Sequence, residues 1–153
     1  ADDALAVLQI AETDMTIFWR ELSSINCDAS IEKSLRVEPL MKAVYGRDGL
    51  TADQKALFTD FAENWAARQR ELGTDDEQRS IPMNAVNPRY VLRNYMAQLA
   101  IERAEQGDVA LVEELMDLLR FPYTEQASKD HYYALRPDWA RTKVGCSQLS
   151  CSS

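Results

Sequence analysis

Apolar residues recur at helical spacing along most of the chain. The first run steps by three and four residues from Ala4 to Ile25, which predicts one amphipathic helix with a single buried stripe. A second run lies between Thr51, a natural N-cap followed by a capping-box amide, and Gly73, a typical helix-ending glycine. The predicted apolar face of this second helix is formed by Leu57, Phe61 and Trp65, with Phe58 and Ala62 beside them.

Prolines and glycines divide the rest of the chain into shorter elements. Pro39 is expected to break one helix or to start another, and Pro82 to limit the helical turn before it. Asn87-Pro88 predicts the start of another helix, with Asn as N-cap and Pro at the first helical position. Gly107-Asp108 ends that helix and starts the next in two residues, so we expect an antiparallel helical hairpin over 88–120.

The sequence predicts helices and no strands. No apolar–polar alternation persists for five residues, so no strand is expected, and one more short helix is predicted over 128–135. The predicted fold is all-α, an irregular bundle of about five to seven helices. The bundle is expected to form a helical domain over 1–136, followed by a flexible cysteine-containing tail over 137–153.

Charge and hydropathy exclude two classes of partner. The 153 residues carry a formal net charge of −8, which argues against a nucleic-acid or anionic-membrane surface. No apolar stretch approaches the length that spans a bilayer. The chain begins at Ala1 rather than at Met, from which we expect a processed chain or a piece of a longer one.

The sequence contains no recognisable catalytic, cofactor or metal motif. One His and three Cys lack the spacing of a zinc site, and no glycine-rich nucleotide loop occurs. His131 could in principle pair with a tail cysteine, but no third residue to orient it is identifiable, and a surface histidine is the favoured interpretation. No catalytic residue is therefore predicted in this chain.

Two features remain as candidate sites. Cys146 and Cys151 lie among serines rather than among aliphatic residues, so their thiols are expected to be reachable and a redox or tethering role is considered. In the segment from Asn87 to Tyr95, the residues that packing does not require are Arg89, Arg93 and Asn94. They are either solvated residues at a helix start or a positively charged ridge that docks onto another domain.

Two stretches resemble a known family. The sequence from Asn87 to Asp108, which opens Asn-Pro-Arg-Tyr-Val-Leu-Arg-Asn, is similar to a late signature of the selenoprotein O family, also called the YdiU family. The ending Pro137-Asp-Trp-Ala-Arg141 with Cys151-Ser-Ser is similar to that family's C-terminus. The resemblance covers most of this chain but only the C-terminal third of a typical member.

The resemblance implies a role for the parent protein. The family has a protein-kinase-like fold, is described as a pseudokinase, and transfers AMP from ATP to Ser, Thr or Tyr hydroxyls of protein substrates, using ATP with Mg or Mn. Its catalytic loop and metal-binding residues lie in the N-terminal region, so this chain alone is expected to be inactive and to bind no cofactor. Its expected partner is its own N-terminal kinase-like domain. The expected location is the bacterial cytoplasm, or the mitochondrion in a eukaryote.

The resemblance also separates the two tail cysteines. Cys151, third from the end, matches the position of selenocysteine in selenoprotein members, which implies redox control through a disulfide to the kinase-like region. Some members place a cysteine three residues earlier, where this chain has Gln148, so the role of Cys146 stays open. The alternative function is a freestanding helical interaction module whose tail thiols are redox-active.

Overall fold

The computed structural model describes residues 2–146, and they are almost entirely helical. Seven α-helices are present in this range: α1 (Asp2–Val7), α2 (Met15–Leu22), α3 (Lys33–Met41), α4 (Ala52–Glu71), α5 (Asp76–Val86), α6 (Asn94–Ala104) and α7 (Ala110–Arg120). Short 3-10 helices cover Arg47–Gly49, Ala127–Tyr132 and Asp138–Arg141. The all-α prediction is confirmed, and no helix in the described range is long and apolar enough to cross a membrane.

The chain groups into two compact units, Ala1–Asn87 and Pro88–Ser153. In the first unit α3 packs on α2 and α4, and α1 packs on α4. In the second unit α6 packs on α7. The predicted division of the chain after residue 136 stays a prediction.

The predicted single helix over 4–25 is wrong, because it is two helices separated by a turn and a short extended segment. Asp14 begins α2 as its N-cap, and its carboxylate accepts a hydrogen bond from the Ile17 N–H at 2.9 Å. The Asp14 N–H in turn donates to the carbonyl of Ala43 at 2.8 Å, beside an isolated antiparallel bridge between Thr13 and Val44. The apolar spacing continues across residues 8–14, but the pairing of this segment with residues 43 and 44 prevents a continuous helix.

Both internal prolines lie inside helices rather than ending them. Pro39 is two residues from the end of α3, and Pro82 lies in the middle of α5. A helical proline removes one N–H donor and crowds the carbonyl four residues earlier, which costs about 3 kcal/mol in isolation. Tertiary contacts therefore hold these helices together, and the predicted breaks at both prolines are wrong.

The core of the first unit lies between α2, α3 and α4. Thr51 caps α4 as predicted, with the reciprocal hydrogen bonds of a capping box to Gln54. Phe58, Phe61 and Ala62 of the predicted apolar face of α4 are buried, whereas Leu57 is exposed. Fully buried side chains of this core are Ile17, Phe18, Leu22, Ile25, Leu40, Val44 and Phe58.

The helical hairpin of the second unit begins later than predicted. Asn87 does not start a helix: it is the C-cap of α5, where its backbone N–H and its side-chain amide both donate to the Met83 carbonyl. The chain then runs without helix until Asn94, so the hairpin consists of α6 and α7, joined at Gly107 with φ of +87°. Together with Tyr90 from the preceding segment, the hairpin residues Met96, Ala100, Leu111, Leu115 and Leu118 form a buried cluster.

Candidate functional site

Arg89 is held within the second unit. Its guanidinium lies 4.1 Å from the centre of the Tyr133 ring and pairs with Glu125 at 3.3 Å and Asp130 at 3.1 Å. Its backbone N–H and that of Tyr90 both donate to the Pro122 carbonyl. The side chain is only 15% exposed, so the interpretation of Arg89 as a solvated residue is wrong. These contacts fasten the signature segment to the chain that follows α7.

Arg93 and Asn94 lie at the start of α6. Arg93 is its N-cap and is buried, and its carbonyl accepts hydrogen bonds from the N–H groups of Met96 and Ala97. Asn94 is the first residue of the helix and is half-buried. The three predicted docking residues are thus close in sequence but do not form an exposed ridge. Their docking role stays a prediction.

The segment from residue 138 to 146, the carboxyl-terminal strap, lies along one face of α6. Trp139 makes an edge-to-face contact with Tyr95, with ring centres 5.9 Å apart. The Lys143 ammonium pairs with Glu102 at 2.6 Å, and Gly145 lies beside Gln98. The α6 residues 95, 98 and 102 are spaced by three and four positions, as neighbours on one helix face are.

Cys146 ends the described range at a buried position. Its residue is 1% exposed, and its backbone N–H donates to the Lys143 carbonyl at 3.1 Å. The expectation that the thiol of Cys146 is reachable is therefore wrong. Cys151, the redox candidate, lies outside the described residues.

A third cysteine, Cys27, lies in a polar cluster that the sequence analysis did not single out. The Arg79 guanidinium donates to the Cys27 sulfur at 2.8 Å and to the Ile25 carbonyl at 2.6 Å. The Cys27 N–H donates to Asp76, and the Cys27 carbonyl accepts from Arg70 at 2.7 Å. Burial raises the pKa of the Cys27 thiol, and the positive charge of Arg79 offsets this only in part. A raised pKa disfavours the thiolate, which is the form in which a cysteine reacts.

Asp76 joins this cluster to the start of α5. Burial acts to raise the pKa of its carboxyl, but hydrogen bonds from Arg79 and from the Cys27 N–H outweigh it and leave the pKa below the usual value. A carboxyl group with a depressed pKa stabilises the fold above its unfolded-state pKa, and this contribution is lost as the pH falls through the folded-state value. The cluster is therefore sensitive to acid but not to pH changes near neutrality.

A second buried arginine organises the loop between α2 and α3. The Arg36 guanidinium donates to the carbonyls of Asn26 and Ile31, each at 3.1 Å, to that of Asp28 at 2.5 Å, and pairs with Glu63 on α4. The side chain is 2% exposed. Because it closes a loop onto a helix through backbone carbonyls, its role is structural.

Two other candidates of the described range are a metal site and His131. Between residues 2 and 146, no group of three His, Cys, Asp or Glu side chains is placed to hold a metal ion. His131 is exposed, with its ring centre 4.1 Å from that of Tyr132. The described side chains form ion pairs and hydrogen bonds that hold helices and loops together.

Comparison with known proteins identifies the family. No family model matches the chain. A relative from Aromatoleum aromaticum is 47% identical over 97% of this chain, one from Flavobacterium johnsoniae 46% over 99%, and one from Rhodopirellula baltica 42% over 99%. Each is named Protein nucleotidyltransferase YdiU, and the chain spans between 27% and 30% of its length. Over nearly its whole length, the chain belongs to the YdiU family.

Proposed function

We propose that this chain is the helical C-terminal region of a longer protein nucleotidyltransferase, where it supports and regulates a kinase-like catalytic part. The observation that carries the proposal is the identity of 42–47% to proteins named Protein nucleotidyltransferase YdiU. The chain spans less than a third of the length of each of them. In the parent protein, a Ser, Thr or Tyr hydroxyl oxygen of a protein substrate bonds to the α-phosphorus of ATP, and pyrophosphate leaves. We propose the bacterial cytoplasm as its location.

The chemistry belongs to the part of the relatives that this chain does not span. The sequence contains no glycine-rich phosphate loop, and the described residues form no three-ligand metal cluster. We propose that ATP and its Mg or Mn ion bind to the part of the parent protein that this chain does not span. The contribution of this chain is a helical surface and the tail that bears Cys151.

The test compares this chain with the full product of the gene that contains it. Calorimetry should detect Mg-ATP binding to the full product and none to the chain, and ATP labelled at the α-phosphate should label protein only with the full product. Tight Mg-ATP binding to the chain would overturn the proposal. A reading frame with no kinase-like part upstream of Ala1 would overturn it too, in favour of a freestanding interaction module.

Within this function, we propose Cys151 rather than Cys146 as the redox residue. The burial of Cys146 supports this choice, since a sulfur atom shielded from solvent is shielded from oxidants and partner thiols. In the full gene product, Cys151→Ser should abolish an oxidant-dependent mobility shift on non-reducing gels, whereas Cys146→Ser should leave it. Persistence of the shift in Cys151→Ser would refute the assignment.

A further inference from the structure

One face of α5 consists of exposed apolar side chains. Ile81 is 63% exposed and Val86 is 72% exposed, and Pro82 and Ala85 are exposed beside them. The spacing places 81 next to 85 and 82 next to 86, so the four form a two-by-two block, here called the α5 patch. Single exposed apolar residues are ordinary on a protein surface, but a contiguous block on one helix face is characteristic of a binding surface.

The opposite side of α5 is anchored by polar contacts. Arg79 is the buried residue of this helix, and Asn84 accepts hydrogen bonds from Arg20 at its carbonyl and from the Ser23 hydroxyl at its side chain. The Arg20 guanidinium also donates to the Asn87 carbonyl at 3.0 Å. Because directional bonds fix the rotation of the helix, its apolar block faces away from the unit that holds it.

We propose that the α5 patch binds the part of the polypeptide that the YdiU relatives have and this chain lacks. The inference rests on the proposed function and identifies the docking surface within it. The relatives continue for about 70% of their length beyond the region matched, since the chain spans 27% to 30% of them.

The arginine segment is a weaker candidate for this surface. The Arg89 guanidinium is engaged by Tyr133, Glu125 and Asp130 within its own unit, and Arg93 is buried.

The four side chains of the α5 patch are too few to form a stable interface alone, since such an interface buries about 800 Å² on each partner. The α5 patch is therefore the apolar centre of a wider contact, with exposed polar residues such as Glu77 and Gln78 at its rim.

Thiol labelling tests the inference. Val86→Cys and a matched control, Leu57→Cys on α4 at 51% exposure, are each made in the 153-residue chain and in the full gene product. Maleimide labelling is followed by peptide mass spectrometry, which separates these sites from the native cysteines. Position 86 should react at least tenfold more slowly in the full product than in the chain, whereas position 57 should react at similar rates in both.

Two other labelling outcomes would overturn the inference. Equal rates at position 86 in the two proteins would show that nothing covers the patch. Slow labelling in the chain that accelerates on dilution would show that a second copy covers it instead. Nucleotidyl transfer by the same full product is measured separately. Protection of position 86 without transfer would reject the proposed function but keep the docking surface. Transfer without protection would keep the proposed function but reject the docking surface.

Discussion

Replacement of Arg89 by Met should loosen the second unit of the isolated chain. The substitution keeps an unbranched apolar side chain and removes the guanidinium, which lies 4.1 Å from the Tyr133 ring centre and pairs with Glu125 and Asp130. A largely buried cation–π contact contributes about 1–2 kcal/mol. Each ion pair with a largely exposed carboxylate contributes about 0.2–1 kcal/mol. A loss of about 2 kcal/mol is therefore expected, or about 30-fold in an opening equilibrium.

Hydrogen exchange followed by mass spectrometry measures this loss unit by unit. Amides of α6 and α7 should exchange about 30-fold faster in Arg89→Met, while those of α4 should be unchanged. The control is Arg120→Met, which removes an exposed arginine paired with Asp117 on α7 and should alter exchange less than threefold. If Arg89→Met leaves exchange in α6 and α7 within threefold of the native chain, the internal role is refuted and a docking role gains support.

Three further predictions concern the buried polar groups and the carboxyl-terminal strap. Arg36→Met should lower the free energy of unfolding of the first unit by about 3–5 kcal/mol in urea titrations, whereas the exposed Arg68→Met should change it by less than about 0.5 kcal/mol. In Asp76→Asn, the melting temperature should fall less steeply than that of the native chain as the pH drops below about 4. Near pH 7, the pH dependence of the melting temperature should be the same in both proteins. Gly145→Ala, at φ of +86°, should strain the strap and make Cys146 react at least threefold faster with maleimide.

Local signals in the sequence predicted the helices that tertiary contacts leave undisturbed. The capping box at Thr51 and the glycine at 107 mark real helix ends because the side chain or the backbone conformation at those residues suffices to end a helix. The break before Asp14 could not be predicted, since the hydrogen bond from its N–H goes to Ala43, 29 residues away. The prediction of a helix start at Asn87-Pro88 is wrong because asparagine caps either end of a helix. The sequence alone does not distinguish the end of α5 from the start of the next helix.

The buried arginines explain why the candidate site was only partly predictable. Arg36 and Arg79 look in the sequence like any other charged residues on helices, yet each donates to several backbone carbonyls of the loop after α2. The carbonyls they satisfy belong to irregular backbone, whose position depends on the whole fold. Charge patterning at i and i+3 between Asp76 and Arg79 was an available signal, but such pairs are common on exposed helix surfaces as well.

The buried position of Cys146 limits where a partner of Cys151 can lie. Five residues span at most about 18 Å between Cα atoms when fully extended, and a disulfide joins Cα atoms about 6 Å apart. A cysteine that forms a disulfide with Cys151 must then have its Cα within about 24 Å of that of Cys146, as long as the strap stays on α6. In the full protein, a partner thiol found beyond that distance would require the contacts of Trp139 and Lys143 with α6 to open first. Release of the strap would then have to precede formation of that disulfide.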